Sequence, residues 1–293
     1  MNAKLSILLT FLVAAGNTFA QRPDARPMNE LRKPSARFGV YLNEKADVDD
    51  LADDLKNIEY TAGTGLYHGR SGDWGYTVGL RYRLNELDVE GFDFLEDQTL
   101  HRFELPLTLR WQQEGKKFRF WSRFRPGLAS DLEKVDEEDL TYSFILAGSY
   151  QMSESLSWTF GAYVSQDLGG EQLWPSVGLV WDPDPTWRLN VTPPNITLSH
   201  QPTDDLILKL SAWPGGGSWN LDTDEGDRNV GLRSVHTGLG IEYKLANRIW
   251  LSVWGGYNVF QSLEIENERD RKIFEEDADP SGFVYTGLRI TAW

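Results

Sequence analysis

Hydrophobic and polar positions alternate with period two along almost the whole chain beyond residue 34. In the run from Trp74 to Leu84, one face carries Trp74, Tyr76, Val78, Leu80, Tyr82 and Leu84. The other carries Gly75, Thr77, Gly79, Arg81 and Arg83. The same alternation places Phe103, Leu105, Leu107, Leu109 and Trp111 against Arg102, Glu104, Pro106, Thr108 and Arg110. It predicts about fourteen strands, near 36–43, 58–68, 73–85, 100–112, 117–128, 139–151, 155–167, 173–182, 186–192, 195–201, 205–213, 232–244, 247–260 and 282–293. Many reach the ~9–11 residues that a tilted strand needs to cross a bilayer. If the short runs 186–192 and 195–201 do not cross, twelve strands remain.

The connections also alternate. Short ones fall at 69–72, 113–116, 152–154, 183–185, 202–204 and 245–246. Long ones are expected at 44–57, 86–99, 129–138, 214–231 and 261–281, with the short 168–172 and 193–194 on the same side. Short turns on one rim and long loops on the other are the build of an outer-membrane barrel. The expected fold is therefore all-β: a single antiparallel up-and-down transmembrane β-barrel over 35–293.

Residues 1–20, with Lys4, an apolar run from Leu5 to Ala15 and a small residue at Ala20, read as a secretory signal peptide. Residues 21–34 form a polar leader. No later stretch approaches the ~18–20 apolar residues of a membrane helix. The expected location is the bacterial outer membrane of a Gram-negative cell, reached by export.

Trp74, Trp111, Tyr150, Trp158, Trp181, Trp187 and Tyr243 all fall within a few residues of a short turn. Their amphipathic rings suit a membrane-interface belt. Charge is partitioned as well. The long loops and 167–172 carry 31 acidic and 7 basic residues of a chain whose net charge is −15. A net charge of this sign disfavours nucleic-acid binding.

The stretch Trp174-Pro175-Ser176-Val177-Gly178-Leu179-Val180-Trp181-Asp182-Pro183-Asp184-Pro185-Thr186-Trp187-Arg188-Leu189, followed by Pro193-Pro194-Asn195-Ile196, resembles a family of functionally uncharacterised bacterial outer-membrane β-barrel proteins. Leu105-Pro106-Leu107 and Gly127-Leu128-Ala129-Ser130-Asp131 also fit it, and the likeness extends over roughly 35–293. Trp293 is similar to the terminal aromatic that barrel assembly machinery reads, although it is in phase with Arg289 and Thr291. The resemblance implies fold and location, outer-membrane lipid and the assembly machinery as partners, and no activity.

Candidate chemistry lies on the polar phase. Arg81, Arg83, Arg102, Arg110, Arg119, Arg123, Arg125, Arg188 and Arg289 fall there, with Glu59, Glu104 and Glu242 the acids among them. Such a wall makes a cationic lumen that favours anions. The competing reading pairs these arginines with lumenal acids and leaves no open path.

Catalysis has little support. His68 and Ser71 share an ordinary tight turn, and there is no G-x-S-x-G, H-E-x-x-H or phosphate-cradling loop. Asp222-Thr223-Asp224-Glu225-Gly226-Asp227 begins like a calcium loop but has Gly226 where the third ligand belongs. No enzyme, cofactor or metal is expected. The leading functional reading is a passive pore or transporter for small solutes. A non-conducting structural or adhesive surface barrel with acidic extracellular loops is the alternative, and a secreted soluble β-sandwich a third.

Overall fold

The computed structural model describes residues 35–49, 54–89, 91–166, 172–223, 226–267 and 271–291. The expected signal peptide, the leader and Trp293 lie outside them.

Seventeen hydrogen-bonded segments join into fourteen antiparallel strands that close on themselves. They are β1 (Ser35–Asn43, continued by Ala46–Asp47), β2 (Asp54–Ser71), β3 (Trp74–Val89), β4 (Gln98–Glu104 and Leu107–Gln112), β5 (Phe118–Ser130), β6 (Leu140–Gln151) and β7 (Leu156–Ser165). There follow β8 (Gln172–Asp184), β9 (Trp187–Thr192), β10 (Asn195–Thr203), β11 (Leu206–Leu221), β12 (Arg228–Ala246), β13 (Ile249–Asn267) and β14 (Lys272–Ala278 and Ser281–Thr291). Closure comes from β14 on β1, where Arg37 faces Arg289 and Tyr41 faces Tyr285. The ladder survives the break at Leu105-Pro106 because Gly79 N–H donates to the Pro106 carbonyl (2.9 Å) and Leu105 N–H to that of Pro126 (2.9 Å).

In the half nearer the short turns, the outward phase is apolar and exposed: Phe38 and Leu42 on β1, Leu80 on β3, Leu107 and Leu109 on β4, Leu239 and Ile241 on β12. Outside lipid such a band has no favourable surroundings. The phase of β13, ambiguous in the sequence, resolves here. Val253 and Tyr257 face outward, whereas Trp250 lies 5.4 Å from the Arg289 guanidinium and Trp254 packs edge-on against Trp213.

The expected long loops prove to be largely strand. β2 begins at Asp54, β3 runs to Val89, β11 to Leu221, β12 starts at Arg228, β13 ends at Asn267 and β14 starts at Lys272. Within these extensions the apolar phase inverts. On β3, Tyr82 and Leu84 point outward, but beyond Asn85 it is Leu87 and Val89 that point in, while Glu86 and Asp88 turn out. Leu87, Val89, Leu95, Leu100, Trp219, Val230, Leu263 and Ile265 are all at most 1% exposed and form one core. Where the outside is lipid, apolar groups face out; where it is water, the same wall buries them. The loop end is therefore a water-facing tower with its own hydrophobic core.

Strands β6 to β10 take no part in it. The β9–β10 hairpin turns at Pro193-Pro194, level with Ser176, whose hydroxyl donates to the Pro193 carbonyl (3.0 Å). Past Ala212, β11 leaves β10 and crosses to β5, where Asn220 pairs in parallel with Ser130. The cross-section thus passes from fourteen strands to a narrower ring of β1–β5 and β11–β14.

Candidate functional site in the barrel interior

The crossing of β11 divides the interior. Arg83 Nη1 donates to the Gly216 carbonyl (3.0 Å), tying β3 to the crossing segment. Gly216 has φ +86°, and a Cβ there would collide with the Leu232 carbonyl, so glycine is required at the bend. Below it, on the side of β11–β14 and β1, rings fill the interior: Tyr41 lies 4.3 Å from Tyr285 and 5.5 Å from His236, and Trp213 5.8 Å from Phe283.

The twelve polar-phase residues singled out in the sequence all lie on the face opposite the exposed apolar one. They divide into two kinds. Glu104, buried, lies 3.5 Å from Arg81 and 3.7 Å from Arg125. Arg83 reaches Glu59 at 3.9 Å. Glu242 holds Arg289 (3.3 Å) and also Lys209. Arg188 pairs with Asp182 at 2.8 Å. Arg102 is wholly buried beside the crossing strand. Charges this deep are stable only when compensated.

Arg110, Arg119 and Arg123 differ. Each is half-buried on the β4–β5 wall, and among the described residues no carboxylate comes within ion-pair distance of any of them. Arg123 Nε donates to Thr108 Oγ1 (3.1 Å), and its guanidinium lies 5.8 Å from the Trp121 ring centre. Polar interior positions on β6 to β10, such as Ser149, Thr159, Asn190 and Thr197, are likewise only half-buried. Among them Ile145 and Tyr163 are buried, with Trp121, Ala147 and Trp174 packed against them.

Sequence reasoning passed over Lys209, Trp121 and Trp174. Trp121 carries a legible signal, being in phase with Arg119 and Arg123. Lys209 lies in the polar phase of its run, and only the pairing of β11 with β12 brings it to Glu242.

The aromatic residues expected to form a belt all point outward at the short-turn end: Trp74, Tyr150, Trp158, Trp181, Trp187 and Tyr243 are exposed and Trp111 half-buried. Trp187 stacks on His200 at 4.2 Å. His68 and Ser71 sit exposed beside Gly72 at a hairpin tip. No cluster of three or more metal-ligating side chains occurs among the described residues; Asp224 and Glu225 lie outside them.

An apolar outer belt, closed backbone pairing and an interior charged lining define a transmembrane β-barrel. More particularly, the chain belongs to the family described as a domain of unknown function, DUF6268, whose model matches residues 107–291. Among solved structures it is similar to the COG4313 outer membrane channel from Pseudomonas putida F1 (9% identity, 93% of this chain and 100% of that chain, TM-score 0.49). It is also similar to the KdgM porin (8% identity, 88% and 99%, TM-score 0.40). A third similar structure is the translocator domain of autotransporter NalP from Neisseria meningitidis (11% identity, 88% and 88%, TM-score 0.39). No curated protein matches the chain.

Proposed function

We propose that this protein is a bacterial outer-membrane channel that passes small anionic solutes through an arginine-lined vestibule. The observation that carries the reading is the half-buried trio Arg110, Arg119 and Arg123, which has no carboxylate partner among the described residues. Uncompensated guanidinium groups on a low-dielectric wall raise the local anion concentration. The straight route out is filled by the tower core. The path therefore leaves beside the tower, over the top of β6 to β10 and under the seam between β5 and β11.

The test is conductance of the refolded full chain in a planar lipid bilayer under a KCl gradient. Stepwise conductance with an anion-biased reversal potential, moved toward cation preference by Arg119→Glu with Arg123→Glu, is expected. A heat-modifiable barrel that inserts without conducting sinks the channel. It would leave the second reading, a non-conducting surface barrel, which the apolar tower core favours.

A further inference from the structure

The outer face of β12 to β14 is not evenly covered by side chains. Register sets Leu210, Leu239, Gly255, Val284 and Leu42 side by side on β11, β12, β13, β14 and β1, all on the outward phase. The next row toward the tower holds Ala212, Thr237, Tyr257 and Gly282. Gly255 is exposed, and a Cβ there would meet nothing within 4 Å, so the first row has an open notch between Leu239 and Val284. These two residues stand two strand spacings apart, ~10 Å, which after their own side chains leaves the width of one hydrocarbon chain. Gly282 lies diagonally above Gly255, ~7–8 Å away. The place of its missing side chain is taken by the Glu44 carboxylate, which accepts the Gly282 N–H at 3.1 Å. The result is a surface groove of about 580 Å³, walled by Leu210, Leu239, Tyr257, Val284 and Leu42 and ending at Glu44. Each of those five side chains is more than half exposed. Among the described residues no basic side chain comes within ion-pair distance of Glu44.

We infer that this groove docks a phosphatidylethanolamine molecule, with an acyl chain over Gly255 and the ammonium on Glu44. The groove opens on the apolar belt, so its surroundings are lipid, and a chain seated in the notch gains contact on three sides where a flat wall offers one. Glu44 follows Leu42, the last outward apolar residue of β1, and so stands at headgroup level. A carboxylate there with no cation of its own complements an ammonium, which can donate a charge-assisted hydrogen bond to it. A glycerol headgroup brings only the negative phosphate, which Glu44 repels. The site lies on the outside of the wall and is independent of whether the barrel conducts.

The experiment is native mass spectrometry of the full chain, refolded in detergent with equal amounts of phosphatidylethanolamine and phosphatidylglycerol carrying the same chains. A retained phosphatidylethanolamine is expected, favoured over phosphatidylglycerol by about fivefold, as an exposed ion pair would give. Glu44→Gln should remove the preference between headgroups. Gly255→Leu, which fills the notch, should abolish retention, while Leu107→Ala on the far side of the belt leaves it unchanged. No retained lipid, equal retention of the two lipids, or retention indifferent to Gly255→Leu in a variant that keeps its heat-modifiable mobility overturns the site. A dimer mass lost in Gly255→Leu would also overturn it, by giving the groove to a second copy of the chain.

Discussion

Asn220 pairs in parallel with Ser130 although β6 to β10 lie between their strands around the membrane wall. That contact makes the tower narrower than the barrel beneath it. Asn220 Nδ2 also donates to Glu138 (3.4 Å), and Asp222 N–H to Asp131 (3.3 Å), so the segment after β5 is stitched to the same seam. Paired strands bring Cα atoms into disulfide range. A Ser130→Cys, Asn220→Cys double variant should therefore oxidise to an intramolecular bond, seen as a shift in non-reducing gel mobility. Because the proposed path runs outside the tower, conductance should survive oxidation. Failure to cross-link would dismiss the seam.

The tower core should behave like that of a water-soluble protein. Leu263 is wholly buried in it, and Leu263→Ala is expected to cost about 2–5 kcal/mol. Faster amide exchange in β3, β12 and β13 beyond the membrane belt, with the lower strands still protected, is the readout. Uniform loss of protection would mean that tower and belt unfold as one unit.

Outward positions should divide at the phase inversion. Leu239, 67% exposed on the lipid face, becomes costly as arginine, about 2–4 kcal/mol near the bilayer midplane. Glu86→Arg, outward on the tower, should change stability by no more than ~0.5 kcal/mol. Folding into lipid vesicles under urea measures both, and equal penalties would misplace the membrane boundary.

Gly216 is a sharper prediction. At φ +86° with no room for a Cβ, Gly216→Ala should cost more than the ~1 kcal/mol of a left-handed non-glycine residue. It should also free Trp219 from the core, shifting its fluorescence to the red. Gly72→Ala, at φ +57° with open space around it, should show the backbone penalty alone.

The sequence by itself determined the wall. Period-two runs such as Trp74 to Leu84 appear as strands within a few residues of their expected bounds, because lipid outside and polar groups inside impose a pattern that each strand carries locally. The arginine phase was legible for the same reason. The acidic segments were read as loops because their alternation is inverted: Leu87, Val89, Leu263 and Ile265 pointed to no face until the strands around them were in place. Partnership was not legible either. Glu104 between Arg81 and Arg125, Arg83 against Gly216 and Asn220 beside Ser130 depend on register and on β11 crossing the interior. Such contacts join residues distant along the chain, so only the tertiary structure decides which arginines meet a carboxylate and which, among the described residues, do not.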